Sequence, residues 1–388
     1  MARQRRRAGL VTADPVRLCD RTPVDGFASP RVVGTPADRA EVAEALADLG
    51  VDAVEIGRPG LRPDDAELAE RLRELRGPVL VASSSADRAE LVCCGDGVRR
   101  LASSRLNVCI ALRDQSDSRQ LERLIRVALG YTWDVQLTLL DATLAPRASV
   151  VEALAAAAGA GARTLALVDR GWALPRDVDT LVREVRAALD GRQVRVAVRC
   201  SNRLGLALAN ALAALAAGAQ QVETCVNGIG PALGVTPIEE LVAVAALPGH
   251  DWKLARPIAT ADLRRVSQLV AARTGLPVPP NKPIVGSNAL VDGASATRDT
   301  DAWRGLGWTA NGAEDGPTTR PPRATDHPAE GEARSRPAFE RRLAELGVIL
   351  APPARDAAFA RYAQLASFSD RVSDADLRAI LSRVAHAD

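Results

Sequence analysis

Arg195-Val-Ala-Val-Arg-Cys-Ser-Asn-Arg-Leu-Gly-Leu-Ala-Leu-Ala-Asn210, followed by Gln221-Val-Glu-Thr-Cys-Val-Asn-Gly-Ile-Gly230, is the stretch on which the fold turns. It reads as a short apolar run, a tight loop, an alanine- and leucine-rich helix, a second short apolar run and a glycine turn. Two buried strands with a helix between them form a β-α-β unit, and such a unit implies parallel strands covered on both faces.

The same rhythm extends outward in both directions. Strands are predicted at Val16–Asp20, Val51–Gly57, Pro78–Ala82, Leu106–Leu112, Trp133–Asp141, Thr164–Asp169, Arg195–Cys200 and Gln221–Val226. Each is a near-continuous apolar run of strand length. Helical periods lie between them, among them Pro36–Leu49, Asp64–Leu75, Arg119–Leu129, Ser149–Ala160, Arg176–Leu189 and Leu204–Ala217. Eight such units over roughly 250 residues suit a closed (β/α)8 TIM barrel. An open doubly wound sheet is the rival, but the first β-α turn has no G-x-G-x-x-G fingerprint. The fold class is therefore α/β, with the barrel spanning 13–250 after a basic tail at 1–12. A post-barrel segment at 251–293, a Gly-, Pro- and Arg-rich linker at 294–336 and a helical subdomain at 337–388 complete the expected division.

Composition excludes several function classes. A net charge of +2 with 25% charged residues offers no electrostatic case for nucleic acid. The six cysteines form no C-x-x-C pair and are expected to be buried, reduced thiols. The longest uncharged apolar run, Leu204–Ala219, is too short to span a bilayer. Met1–Arg7 lacks the apolar core of a secretory signal. A cytoplasmic protein without membrane or nucleic-acid partners is expected.

The opening stretch closely resembles the signature of the 2-isopropylmalate, homocitrate and citramalate synthase family. There the strand ends in H-C-H-N-D-L-G-L-A, and the next one ends in V-N-G-I-G-E-R-A-G-N. Cys200, Asn202, Leu204–Ala207 and Val226–Gly230 keep that frame. Thr274-Gly-Leu-Pro-Val-Pro-Pro-Asn-Lys-Pro-Ile-Val-Gly286 resembles the family's post-barrel segment, and Ser373–Ile380 the end of its helical subdomain. The family's large regulatory domain lies beyond what this sequence contains, and its histidine-bearing A-H-E-S-G-I-H run is missing between Leu290 and Asp292.

The resemblance implies condensation of acetyl-CoA with a 2-oxo acid at the strands' C-terminal ends, in carboxylic or amino-acid metabolism. It also implies a divalent metal held by an aspartate and two histidines, and a homodimer. Against the family's D-T-T-L-R-D-G-E-Q, the first strand end reads Asp20-Arg-Thr-Pro-Val-Asp-Gly-Phe-Ala28. Asp25 keeps the metal aspartate, and Val24 stands at the catalytic arginine. The two metal histidines are Arg199 and Ser201, and E-D-A-T-R has become Leu140-Asp-Ala-Thr-Leu144. Glu55, Asp141, Thr143, Asn202, Asn227 and Gly228 keep positions that would contact substrate; Asp141 and Thr143 serve equally as loop and cap formers.

A hard or borderline divalent ion needs several oxygen or imidazole ligands, which Asp25 beside an arginine does not supply, so no metal cofactor is expected. His250, His327 and His386 have no ligand spacing and are read as surface residues. Cys200 is read as an inert buried thiol. Arg21, Arg58, Arg170, Arg199 and Arg203 all fall at or just past predicted strand ends. Arg199 is expected near the replaced metal position, paired with Asp25 or Asp141, and the others would attract a small carboxylate; the alternative is a set of solvated rim charges. The candidate catalytic groups are Asp25 and Arg199, with Arg170 and Arg203 added to the substrate contacts. Two readings compete: an acyl-CoA/2-oxo acid condensing enzyme without the usual metal, and a non-catalytic module paired with an intact homologue.

Overall fold

In the computed structural model, eight parallel strands close into one barrel in sequence order, β1-β2-β3-β4-β5-β6-β7-β8. Described are residues 15–290 except 31, 113–117 and 248–249, and residues 336–368 except 347 and 349, with 377, 380 and 381. The basic tail, His327, His386 and almost all of the expected linker lie outside them. The chain divides into two compact units, Met1–Gly312 and Ala313–Asp388.

The strands are β1 Arg17–Asp20, β2 Ala53–Gly57, β3 Val79–Ser85, β4 Ser104–Ala111, β5 Val135–Leu140, β6 Thr164–Asp169, β7 Arg195–Cys200 and β8 Gln221–Thr224. The barrel helices are α1 Pro36–Leu49, α2 Pro63–Arg71, α3 Arg88–Val98, α4 Ser118–Leu129, α5 Arg147–Ala160, α6 Pro175–Ala188, α7 Ala207–Ala216 and α8 Ile238–Ala245. β1 pairs with both β2 and β8, which closes the ring.

Helix ends follow local chemistry. Thr35 and Asp38 form a reciprocal capping box at the start of α1. Gly50 ends that helix at φ 101°, and a Cβ there would stand 2.5 Å from the Pro257 carbonyl oxygen. α7 begins at Ala207 rather than Leu204, because Gly205 adopts φ 71° and Asn202 Oδ1 accepts from the Ala207 amide. Helix α3 was not among the predicted helices. Gly95 and Gly97 weaken its pattern, yet both are packing requirements: a Cβ would strike the Tyr131 ring at one and Pro59 at the other. β8 ends at Thr224, two residues early, where Val226–Gly228 turns with Asn227 at φ 60°.

The main core lies between sheet and helices, with Val54, Ile56, Leu106, Val108, Leu137 and Leu154 wholly buried. The barrel interior is more polar than near-continuous apolar strands would suggest. β4 and β5 alternate, and Arg105, Asn107, Gln136 and Thr138 are buried and joined by side-chain hydrogen bonds. Arg105 Nη1 donates to Gln136 and Gln221, and Gln136 Nε2 donates to Glu223 Oε1 at 2.8 Å. Thr138 Oγ1 donates to Asn107 Oδ1, whose Nδ2 donates to Ser83 Oγ. A polar column thus fills much of the barrel axis, beside a small apolar cluster of Cys19, Ala53 and Val81.

After the barrel the chain returns to its base, where the Val16 amide donates to the Lys253 carbonyl and Ala255 to that of Val16. α9, Leu263–Thr274, packs on α1. The second unit contains α10 Arg336–Glu345 and α11 Pro352–Phe368, around Phe339, Leu343, Ala358 and Tyr362. Among the described residues no helix is long and apolar enough to cross a membrane.

Arg105 provides the test of the polar interior. Its Nε and Nη2 lie 3.0 Å from Asp134 Oδ2, and both residues are buried. Arg105→Met leaves that carboxylate unpaired and is expected to cost about 3–5 kcal/mol in urea unfolding. Adding Asp134→Leu restores most of the loss. Equal instability of single and double variants would show that the pair is not the determinant.

Candidate active site

Every strand of a barrel delivers its last inward side chain to the same mouth. Here β1 and the turn after it bring Arg21 and Asp25, β2 brings Glu55, β7 brings Arg199 and β8 brings Glu223. These five meet in one ion cluster. Arg21 Nε donates to Asp25 Oδ2 at 2.8 Å, and its Nη1 donates to Glu55 Oε2 at 3.0 Å. That same Nη1 stands 3.6 Å from Glu223 Oε2. Arg199 Nη1 lies 3.5 Å from Asp25 Oδ2, and its Nε lies 3.2 Å from Glu223 Oε2.

The two arginines are held differently. Arg21 is fixed by aligned hydrogen bonds from Nε, Nη1 and Nη2. Arg199 makes ion pairs whose geometry is poorer: its Nε and Glu223 Oε2 are both buried without a well-aligned hydrogen bond. Its side chain remains 13% exposed toward the mouth, whereas that of Glu223 is wholly buried.

The turn that carries Asp25 is strongly braced. Thr22–Gly26 forms a single wide helical turn, and the Thr22 amide donates to Asp20 Oδ1. Thr22 Oγ1 accepts from the Val226 amide. Arg39, itself paired with Asp65 at 2.7 Å, donates to the Pro23 carbonyl. Burial pushes the Asp25 carboxyl up, but Arg21 and Arg199 outweigh it and hold it below the usual carboxylate range.

Arg199 pairs with Asp25, one of the two partners anticipated; the other, Asp141, pairs with Arg170 at 2.6 Å. Arg21 corrects the reading of the first strand end. Val24 stands at the family's arginine position in sequence, yet a guanidinium reaches the cluster from three residues earlier. Arg58, Arg170 and Arg203 do behave as rim residues, with substantial exposure.

Thr143 Oγ1 donates to Asp169, and Asn202 caps α7, so both serve the loops that carry them. Asn227 is tied to Ser267 of α9 through both side-chain amide atoms, and its backbone amide donates to Glu239. Glu239 in turn pairs with Lys282 of the post-barrel turn at 3.0 Å. Gly228 turns at φ 66° with the Val235 carbonyl beside it. Cys200 faces the helices, and burial pushes its thiol up. His250 is half-buried rather than a surface residue: its ring stacks on Trp252 and both nitrogens meet backbone carbonyls.

Glu223 was missed in the sequence, as was the role of Arg21. The signal was present: a charge inside an otherwise buried apolar strand must face a partner. Among the described residues no group of three or more His, Cys, Asp or Glu side chains is placed to hold a metal ion.

The HMGL-like family profile matches residues 15–270. The 2-isopropylmalate synthase of Acidimicrobium ferrooxidans is 33% identical over 96% of this chain and 73% of its own length. That of Pyrococcus furiosus is 30% identical over 95% of this chain and 76% of its own length. A solved HMG-CoA lyase from Acinetobacter baumannii, in complex with coenzyme A and 3-methylmalate, shares the fold. Its TM-score is 0.57 at 18% identity, over 76% of this chain and 98% of its own. The barrel, its mouth and these relatives place the chain in the HMGL-like family, among the 2-isopropylmalate synthase-type proteins.

Proposed function

We propose that this is a 2-isopropylmalate synthase-like protein of small-carboxylate metabolism in which the Arg199 guanidinium takes the place of a divalent metal. On this reading it does not condense acetyl-CoA with a 2-oxo acid through a metal ion. The observation that carries the proposal is the contact of Arg199 with both Asp25 and Glu223. A divalent ion needs several oxygen or imidazole donors with free lone pairs. Asp25 is the retained metal aspartate, and both of its oxygens already face guanidinium nitrogens. The donor set does not fit a metal.

The cluster also suggests what binds. Two guanidiniums face three carboxylates, so it approaches neutrality only when one carboxyl keeps a proton. Burial pushes Glu55 up to about 7 despite Arg21 beside it, which makes it the proton holder. Arg21 has its donors engaged. Arg199, with donors free of aligned bonds and an edge toward the mouth, is the group able to take a carboxylate.

A second reading, a non-catalytic partner of an intact homologue in a homodimer or heterodimer, is favoured by one specific observation. Glu55, the cluster's carboxyl that titrates near neutrality, is 1% exposed and lies under Arg21. It is poorly placed to take a proton from an acetyl methyl group.

Thiol release from acetyl-CoA over a panel of 2-oxo acids tests the main proposal. The expected rate is the same with Mg²⁺, Mn²⁺, Zn²⁺ or chelator. A metal-dependent rate would overturn it. No release in any condition favours the partner reading, while steady metal-independent release counts against it.

The proton on Glu55 gives a pH signature. Folded Glu55 keeps its proton to about 7, and burial likewise pushes Asp20 up to about 6. Their unfolded counterparts lose theirs near pH 4. Between these limits the folded state binds more protons, so stability falls as pH rises through about 4.5–7. Asp25, held down instead, contributes stability above the unfolded carboxylate range and adds no slope in this window. Thermal melting should show the decline, and Glu55→Gln should reduce it to the part that Asp20 contributes, which ends near pH 6. A wild-type melting temperature that rises across the window would contradict the protonated-Glu55 assignment.

A further inference from the structure

Four consecutive loops at the mouth, those after β5, β6, β7 and β8, expose large apolar side chains where they could have been polar. Leu144, Trp172 and Leu233 are 61%, 59% and 61% exposed, and Leu174 and Leu204 are also exposed. These are five of the nine large apolar residues the described chain leaves open, and they share one side of one rim. The loops after β1 and β2 contribute only Val33 and Leu61.

The loops are physically contiguous. Arg170 of the β6 loop pairs with Asp141 of the β5 loop. Gly171 abuts Ser201 and Arg203 of the β7 loop. The Asn202 amide donates to the Gly234 carbonyl of the β8 loop at 2.8 Å. Arg203 lays its guanidinium over the Trp172 ring, 5.2 Å from the centroid. At Leu144 an apolar side chain stands where the resemblance places an arginine.

An exposed apolar quadrant rimmed by cations marks a binding surface. Its occupant can be read from its position, because the loop that carries Arg203 and Leu204 leaves β7 directly after Arg199, the cation of the ion cluster held by less aligned contacts. We propose that the mouth takes an amphipathic carboxylate. Its head pairs with Arg199, and its apolar tail lies across the quadrant formed by Leu144, Trp172, Leu174, Leu204 and Leu233. This rests on the carboxylate-binding reading of Arg199 and adds the class of tail. Arg203 covers one face of the Trp172 ring, and the first tail carbons would rest on the remainder of that exposed side chain.

The test is a chain-length series. Binding of 2-oxobutanoate, 2-oxohexanoate, 2-oxooctanoate and 2-oxodecanoate, each below its micellar concentration, is measured by calorimetry on the full chain. A fully buried methylene is worth about fourfold in affinity. A tail lying on an open rim loses roughly half that contact with water, so about twofold per methylene is expected. Leu144→Ser/Leu233→Ser should flatten the series, with folding checked by thermal melting. Arg199→Gln should weaken every member.

An equal affinity at all lengths, still lowered by Arg199→Gln, would overturn the tail site and leave the carboxylate reading standing. A rise with length that survives the double serine variant would place the tail elsewhere and equally overturn the proposal. Binding of none would overturn both. Sedimentation without ligand covers the remaining occupant: a dimer lost in the double serine variant would make the quadrant an interface between copies and refute the tail site.

Discussion

The contact between Arg199 and the carboxylates of Asp25 and Glu223 is the interaction on which the arrangement of the mouth depends. A buried guanidinium and a divalent ion are alternative ways to satisfy the same carboxylates. They are not interchangeable in what they offer a ligand. A metal has open coordination positions and polarises what it binds. A guanidinium has a fixed charge and directional donors, so it orients an anion without activating it to the same degree. With Arg199 on β7 and Arg21 beside it, both Asp25 oxygens face guanidinium nitrogens, and the floor of the mouth is organised as ion pairs.

The rest of the fold supports that arrangement. Buried charges are tolerated only when paired and hydrogen-bonded. Glu223 meets the cluster through Oε2, while its Oε1 accepts from Gln136, which itself accepts from Arg105. The polar column along the axis therefore connects the mouth to the far end of the barrel. Around the mouth, the wide turn at Thr22–Gly26 is held by Thr22, Arg39 and Asp20, and the β8 loop by Asn227, Glu239 and Lys282. These braces hold the two loops without using Arg199. They serve the shape of the mouth whichever ion stands within it.

Much of the barrel was legible from residues alone. Thr164–Asp169, Arg195–Cys200 and Pro36–Leu49 end where predicted, because apolar run length and helical period mark them clearly. The pairing of Arg199 with Asp25 was open to inference, since a charge at a strand end needs a neighbour on the same rim. Less legible were features that depend on three-dimensional reach. Nothing in local sequence says that Arg21, out of register with the family's arginine, bends into the cluster. Helix α3 was obscured because its glycines answer to Tyr131 and Pro59, which are distant in sequence. The polar column was hidden in strands that look apolar on average, and only the alternation within β4 and β5 betrays it.

The claim that a guanidinium stands in place of a metal is tested most directly by titrating Mn²⁺ into the full chain and recording the free-ion paramagnetic resonance signal. The account predicts that the signal grows as in buffer, with no stoichiometric loss. Stoichiometric disappearance of the free signal, reversed by Asp25→Asn, would contradict it and restore a metal to the mouth.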